Sequence, residues 1–288
     1  MSWTSVSSGG GQHADEDQVA VFERDGVADI VVLDGATSVA DRDYIDGEVG
    51  DVAWFVRRFS AAFGKVLAGH RSADSQERIV SAALDEVRAD FDLRRGGQAV
   101  PLYAWPIAAM SWIRILPGSD GPAELQLYCL GDCKTLLRRP DGSVQDPDPW
   151  VNPQEAVVQE AIAALAREGV SDPAARRERL LPMLRRRREE QNSALAPQSL
   201  CLAPSGPFAA RRYLVRAGRG STLLAMTDGF YRLVDPYGLH SDASLLQACT
   251  LGGLDAVLRE LRDHEAASGG AGMAVKQADD AAAVAWRF

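Results

Sequence analysis

Two apolar segments of this chain each end at an Asp-Gly pair. Residues 30–33 run directly into Asp34 and Gly35, and residues 223–226 reach Asp228 and Gly229 after a single threonine. A short, continuous apolar run is typical of a strand that is buried on both faces. The acid is then held at the edge of a hydrophobic wall, and the glycine leaves its backbone carbonyl accessible. A strand followed by a simple turn explains either pair alone, so the interpretation depends on the other acids.

One further acidic segment lies next to the first Asp-Gly pair in a predicted hairpin. Glu16 and Asp17 precede a predicted strand, and the Arg-Asp-Gly turn signal at residues 24–26 leads back into residues 30–33. In an antiparallel hairpin, the start of the first strand lies beside the end of the second. We therefore expect Glu16 and Asp17 close to Asp34.

Two more acids border predicted strands. Asp132 follows the strand predicted over residues 125–130, at the tip of a tight strand–turn–strand unit, and Asp279 precedes the closing strand over residues 281–288. Taken alone, Asp132 is better explained as a hairpin aspartate selected for its turn chemistry. Each residue nevertheless adds a carboxylate at the end of a strand.

Together these acids suggest a metal site. They are Glu16, Asp17, Asp34, Asp132, Asp228 and Asp279. Two unit charges about 4 Å apart repel by about 4 kcal/mol at an effective dielectric constant near 20, and divalent cations would remove that repulsion. Oxygen-only ligands favour Mg²⁺ or Mn²⁺ over zinc or copper. Two such ions can activate a water for in-line attack on phosphorus and neutralise the phosphoryl oxygens.

The remaining pattern is helical. Apolar residues recur at intervals of three and four over residues 47–69 and 75–94, which predicts two helices that cover one face of a sheet. Further helices are predicted over residues 153–168, 176–191, 241–250 and 254–264. No cofactor motif is visible in them.

A weakly patterned segment, residues 140–207, is interpreted as an insertion on the core. It contains four consecutive arginines at residues 185–188, followed by two glutamates. Such a run could bind a phosphorylated partner, but a mixed-sign run on an exposed helix is commonly a solvated face.

Composition excludes several classes of function. A net charge of −9 disfavours nucleic acid or an anionic membrane as the main partner. No apolar run has membrane-spanning length and no signal peptide is visible, so we expect a cytoplasmic protein. The Ser- and Gly-rich residues 1–11 are predicted to be a flexible leader, and residues 12–288 a single domain. Scattered histidines and cysteines disfavour a zinc site or a Cys/His nucleophile.

The order of the acidic motifs resembles that of the metal-dependent, type-2C (PPM) serine/threonine protein phosphatases, in their bacterial form. The motifs are Glu16-Asp17, Leu33-Asp34-Gly35, Leu130-Gly131-Asp132, Thr227-Asp228-Gly229 and Asp279-Asp280. The resemblance extends from about residue 12 to residue 288. It implies an α+β fold, a four-layer αββα sandwich of two antiparallel β-sheets flanked by helical pairs, with a binuclear metal centre at one end of the sheets.

The resemblance also implies roles for individual residues. Asp34 would bridge two Mg²⁺ or Mn²⁺ ions. The Gly35 carbonyl and the Glu16 carboxylate would serve one ion, and Asp228 and Asp279 the other.

Two further acids and the insertion receive roles in the same way. Asp17 would hold metal-bound waters, and Asp132 would support a third, weaker ion. The substrate would be a phosphorylated protein, hydrolysed at phosphoserine or phosphothreonine. Residues 140–207 would include the variable flap beside the active site.

The chain departs from the family pattern at two places. Gln12 stands about where many members carry a phosphate-binding arginine, and residues 36–38 replace a histidine found in animal-type members. Arg24, Arg42 or an arginine of the insertion are the candidate substitutes for that phosphate-binding arginine. We interpret residues 36–38 as a turn towards the first helix. The departures motivate an alternative, a pseudophosphatase or regulatory binding module with the same fold and little or no turnover.

Overall fold

The computed structural model describes residues 2–11, 14–70, 74–118, 121–170, 172–203, 206–267 and 278–288. Its strands are β1 (Ser2–Ser8), β2 (Asp17–Arg24), β3 (Val27–Gly35), β4 (Ile107–Leu116), β5 (Ala123–Leu130), β6 (Lys134–Arg138), β7 (Val144–Gln145), β8 (Leu200–Cys201), β9 (Arg211–Ala217), β10 (Thr222–Met226) and β11 (Ala281–Arg287). Its helices are α1 (Asp51–Gly69), α2 (Gln76–Arg95), α3 (Pro153–Arg167), α4 (Pro173–Ser193), α5 (Asp228–Tyr231), α6 (Asp242–Gly252) and α7 (Leu254–Ala267). Gln12, the first departure from the family pattern, lies outside the described residues.

Within the described residues the strands form two antiparallel sheets. The first sheet has the order β2-β3-β4-β5-β9, with β8 paired to β4, and the second has the order β1-β11-β10-β6-β7. Neighbours in each sheet are mostly distant in sequence, so long-range pairing determines the layout. The ends of β3, β5 and β10 meet at one edge of the pair of sheets, where the acidic residues lie.

The apolar run of β3 is buried on both faces, as predicted. Ile30 and Val32 pack between the two sheets, whereas Val31 and Leu33 pack against α1 and α2. Successive side chains on a strand point to opposite faces, so a run without polar residues serves two hydrophobic layers at once.

The second Asp-Gly strand repeats this arrangement in the other sheet. Leu223 and Ala225 of β10 face the first sheet, whereas Leu224 and Met226 pack with α6 and α7. The layers are therefore α1–α2, sheet, sheet and α6–α7. The predicted four-layer αββα sandwich is confirmed.

The predicted β2–β3 hairpin forms, and its register places the acids. Asp17 pairs directly with Asp34, and Arg24 pairs with Val27 at the turn end. Arg24 is seven residues from Asp17 along β2, which is roughly 23 Å in an extended strand. The hairpin therefore brings Asp17 to Asp34 and carries Arg24 away from both.

The prediction of a flexible leader over residues 1–11 is wrong for Ser2–Ser8. These residues form β1, which pairs along its whole length with β11. The Arg262 guanidinium also donates a 2.7 Å hydrogen bond to the Ser8 carbonyl oxygen. Ser- and Gly-rich composition did not reveal this strand because its stability comes from backbone groups, which pair regardless of side chain.

The strand–turn–strand unit around Asp132 is also different from its prediction. β5 belongs to the first sheet and β6 to the second, so residues 131–133 cross between the sheets and do not close a hairpin. Local turn signals cannot distinguish the two cases because both need a reversal of the chain. Asp132 consequently stands between the sheets, not at an isolated tip.

The predicted helices are present, with small differences at their ends. The first begins at Asp51 and not at residue 47, because the Asp51 carboxylate accepts the backbone N–H groups of Tyr44, Ile45 and Asp46 and holds the preceding loop. Helices α3 and α4 pack on each other through a separate small apolar cluster. Among the described residues, no helix combines the length and apolar character needed to cross a membrane.

Candidate functional site

A cavity of about 500 Å³ lies at the acidic edge of the two sheets. Four of the six acids singled out from the sequence line it: Asp34, Asp132, Asp228 and Asp279. Gly35 also lines this cavity. Glu16 and Asp17 approach from the neighbouring strand, because Asp17 pairs with Asp34 and the Glu16 carbonyl accepts the Gly35 N–H at 3.1 Å.

Gly35 allows three chain segments to meet at the cavity. A Cβ atom at this position would lie 2.6 Å from both the Glu16 carbonyl oxygen and Val52 Cγ1. The start of β2, the end of β3 and the first turn of α1 therefore touch only because residue 35 has no side chain.

Gly229 likewise allows a close backbone approach at the second Asp-Gly pair. A Cβ atom here would overlap the backbone carbonyl oxygen of Asp280. The close approach brings Asp228 to the same end of the sandwich as Asp279, which precedes β11. The Asp228 N–H in turn donates to the Asp34 carboxylate at 3.3 Å, which ties the two Asp-Gly strands together.

The carboxylates repel one another in a site enclosed by protein. Enclosure raises the pKa of Asp34 well above its ordinary value, and the charges of Asp228 and Asp17 raise it further. The pKa of Asp228 rises to about 7, through enclosure and then the charges of Asp132 and Asp279. Asp34 and Asp228 keep surface accessible to the cavity, where water reduces the effect of enclosure. Repulsion between neighbouring carboxylates is therefore the main reason why these two pKa values are raised.

Asp17 is the most deeply buried of these acids, with 7% of its surface exposed. Burial raises its pKa, the Thr227 hydroxyl group opposes this rise by hydrogen bonding, and the Asp228 charge adds to it. One carboxylate oxygen, Oδ2, is buried without a hydrogen-bond partner. Such an atom is costly unless a cation or a donor satisfies it.

The outer carboxylates are bonded to neighbours. The Asn152 amide donates to Asp132 at 2.8 Å, and the Arg232 guanidinium donates to Asp279 at 2.8 Å. Among the described residues, no group of three or more His, Cys, Asp or Glu side chains is gathered as a ready-made metal site. The carboxylates thus surround one cavity and offer only oxygen atoms as ligands. Asp132 and Asp279, however, also accept hydrogen bonds from Asn152 and Arg232.

Several residues that support the site were not recognised from the sequence. The Asp280 carboxylate accepts the backbone N–H groups of Gly10 and Glu16, each at 2.7 Å, and so connects the end of β1 to the start of β2. Arg232, which holds Asp279, follows the second Asp-Gly pair by three residues. The Asp279-Asp280 doublet in the sequence could have drawn attention to Asp280, whereas no sequence pattern indicated Arg232.

Helix α4 is attached to the segment that follows Gly35. Arg177 donates to the Ser38 carbonyl oxygen at 3.2 Å, Arg185 to that of Val39 at 2.9 Å, and Arg188 to those of residues 36 and 37 at 3.4 and 3.2 Å. Residues 36–39 thus present consecutive carbonyl groups to one arginine-rich helix. The segment connects β3 to the loop before α1, and Ala36 and Thr37 line the acidic cavity.

Only part of the arginine run is a solvated face. Arg186 is exposed, whereas Arg188 is 8% exposed and Arg187 lines the acidic cavity. Burial lowers the pKa of Arg188 to about 10, against the opposing charge of Glu16. This guanidinium remains charged at neutral pH and places a fixed cation beside the acidic site.

A buried ion pair holds the loop that carries Asp132. Arg211 donates to both carboxylate oxygens of Asp148, at 2.9 and 2.7 Å, and to the Gly131 carbonyl oxygen at 2.6 Å. Its guanidinium stacks over Trp150 with 4.1 Å to the ring centroid, and the Tyr213 hydroxyl group donates to Asp148 at 3.0 Å. Bidentate, stacked arginine contacts of this kind fix geometry as well as adding stability.

Solved structures of serine/threonine phosphatases resemble this chain over nearly its whole length. A phosphatase of S. agalactiae superposes with a TM-score of 0.55 at 13% identity, covering 100% of this chain and 99% of its own. The catalytic domain of PstP with two manganese ions gives 0.52 at 17%, covering 99% and 96%. PstP/Ppp of Mycobacterium tuberculosis gives 0.51 at 16%, covering 99% and 97%. This chain has the PPM phosphatase fold.

No protein-family model and no curated protein sequence matches the chain. At 13–17% identity the likeness shows the PPM fold alone, because folds persist while their sites change. Any conclusion about activity must therefore come from the residues around the cavity.

We predict that Gly229→Ala disrupts the acidic edge. The added methyl group would overlap backbone, which cannot move aside as a side chain can, so the free energy of unfolding should fall by about 1–3 kcal/mol in urea titrations. Gly252→Ala is the matched control, because its Cβ atom would meet only Ala256 Cβ at 3.8 Å at the end of α6. It should be neutral or slightly stabilising. Equal behaviour of the two variants would contradict the close approach.

We predict a pH-dependent effect for Asp148→Asn. Burial opposes ionisation of Asp148, but the hydrogen bonds and charge of Arg211 outweigh burial, so the pKa is lowered. The ionised group stabilises the fold above its unfolded pKa of about 4 and loses this effect as pH falls through the lower folded pKa.

At pH 7 the free energy of unfolding of the variant should be about 1–3 kcal/mol lower than that of wild type. This difference should shrink below about pH 4. Urea titrations at pH 7, 5 and 3 measure this difference, with the exposed Asp263→Asn as control. A difference that stays constant down to pH 3 would assign the effect to packing and not to charge.

Proposed function

We propose that this protein is a metal-dependent phosphatase that hydrolyses phosphoserine and phosphothreonine monoesters of proteins. The observation that carries the proposal is the cavity lined by Asp34, Asp132, Asp228 and Asp279 at one end of a PPM sandwich. A solved chain with this fold, the PstP catalytic domain, is in complex with two manganese ions.

The proposed ligands of two Mg²⁺ or Mn²⁺ ions, with a third weaker ion, are Glu16, Asp17, Asp34, the Gly35 carbonyl, Asp132, Asp228 and Asp279. Their oxygen-only chemistry fits hard divalent cations. The unpartnered oxygen of Asp17 and the repulsion that neighbouring carboxylates exert on Asp34 and Asp228 also favour a cation here. When bound, such ions supply a nucleophilic water at neutral pH and neutralise phosphoryl oxygens.

The chain's own residues would hold and shape this site. The Asp228 N–H positions the Asp34 carboxylate, and the Asn152 amide and Arg232 guanidinium orient Asp132 and Asp279. We assign residues 140–207 the role of a flap, since helix α4 in this segment contacts residues 36–39 and its residues line the cavity.

We predict that Asp34→Asn reduces hydrolysis of a phosphopeptide by at least about 100-fold, because it removes a charge at the centre of the proposed ligand set. The metal-free variant should be as stable as wild type or more stable, because one repelling charge is gone. Phosphate release with manganese and thermal unfolding without metal measure the two effects.

The matched control is Asp25→Asn. Asp25 has 91% side-chain exposure at the opposite end of the β2–β3 hairpin, and its φ of 51° suits asparagine. This variant should keep full activity. The enzyme hypothesis fails if wild type releases no phosphate from peptides over a range of divalent metals, or if Asp34→Asn retains wild-type rates.

The second candidate is a pseudophosphatase or regulatory module that keeps the fold without turnover. The absence of a ready-made metal group among the described residues, and the Arg232 contact to Asp279, favour it. Manganese titration calorimetry separates the candidates. We expect manganese binding that Asp34→Asn weakens, together with hydrolysis. Binding without hydrolysis would favour the module, and no binding would contradict both.

A further inference from the structure

One arginine of the run in α4 has a different environment from the others. Arg185 and Arg188 donate to backbone carbonyl groups, and Arg186 is exposed. Arg187 instead lines the cavity that contains Asp34, and among the described lining residues it is the only cation. Its Nη1 atom is buried without a hydrogen-bond partner.

Arg187 therefore brings a cation to the wall of an otherwise acidic cavity, and its guanidinium is only partly provided with acceptors. Burial lowers the pKa of Arg187, and the Glu190 carboxylate offsets only part of that effect. The cavity aspartates are not the principal charges acting on it. A partly buried guanidinium that lacks acceptors is unfavourable, so a ligand that brings acceptor oxygens between Arg187 and the carboxylates would stabilise it.

A phosphoryl group has the charge and the acceptor oxygens that suit this position, and it is the group on which the proposed reaction acts. Arginine presents a planar array of N–H groups that matches phosphate oxygens in two-pronged contacts. The cavity of about 500 Å³ has room for a phosphoryl group beside bound cations. Negative oxygens would then be shared between cations held by the aspartates and the guanidinium on α4.

The other arginines named from the sequence do not fit. Arg24 lies at the far end of the β2–β3 hairpin, beside Asp25. Arg42 is exposed and stacks on the Tyr44 ring, with 4.7 Å to the centroid. Neither lines the cavity, whereas Arg187 does.

We infer that Arg187 binds the phosphoryl group of the substrate from the α4 side of the cavity, and this inference rests on the proposed function. Helix α4 therefore contributes directly to phosphate recognition. The neighbouring arginines position it by fastening the helix to residues 36–39.

The test compares Arg187→Ala, Arg187→Lys and the matched control Arg186→Ala, which removes an exposed arginine from the next position. Loss of a charge-assisted contact predicts a 10- to 100-fold rise in KM for a phosphopeptide and in the inhibition constant of inorganic phosphate, on the order expected for such bonds. Arg187→Lys should recover part of the loss, and Arg186→Ala should match wild type.

Binding of inorganic phosphate to the manganese-loaded protein, measured by calorimetry, tests the inference without turnover. If wild type binds phosphate and Arg187→Ala weakens it 10-fold or more, the inference holds even when no variant hydrolyses peptides. If peptides are hydrolysed but the KM and phosphate affinity of Arg187→Ala equal those of wild type, the inference is overturned while the proposed function stands. Should Arg187→Ala unfold, Arg187→Lys and Arg187→Gln decide by the same measurements.

Discussion

The structure depends on how it accommodates like charges at the end of a hydrophobic sandwich. Asp17, Asp34 and Asp228 lie where the two sheets and their strand ends enclose them. The Asp228 charge raises the pKa of both Asp17 and Asp34, and the Asp17 charge also raises that of Asp34. A low-dielectric setting strengthens this repulsion. Folding therefore stores an unfavourable interaction that a bound cation would relieve, which is a common property of functional sites.

The surrounding framework holds these charges together in spite of their repulsion. Gly35 and Gly229 permit backbone contacts that any side chain would prevent. The Asp280 carboxylate joins the end of β1 to the start of β2, and the Arg211–Asp148 pair holds the loop before Asp132. The stability of the sandwich core supports an arrangement that would not form on its own.

The arginines of α4 show how helix geometry assigns different tasks to identical residues. Consecutive positions on a helix point about 100° apart. Arg185 and Arg188, three residues apart, share the face that contacts residues 36–39, while Arg186 and Arg187 point elsewhere. The charge run is therefore neither wholly a solvated face nor wholly a binding patch. Arg185 and Arg188 hold the helix beside the cavity by hydrogen bonds, and Arg187 lines the cavity.

The buried strands, the β2–β3 hairpin that brings Asp17 close to Asp34, and the periodic helices could all be predicted from the sequence, because apolar periodicity and turn chemistry act over a few residues. The pairing of Ser2–Ser8 with β11, the position of Asp132 between the two sheets and the contribution of Arg187 to the cavity wall emerged from the three-dimensional structure alone. Those outcomes depend on contacts between segments far apart in the chain. Backbone pairing and the docking of one helix on a distant loop leave no periodic trace in either partner, so local patterns cannot reveal them.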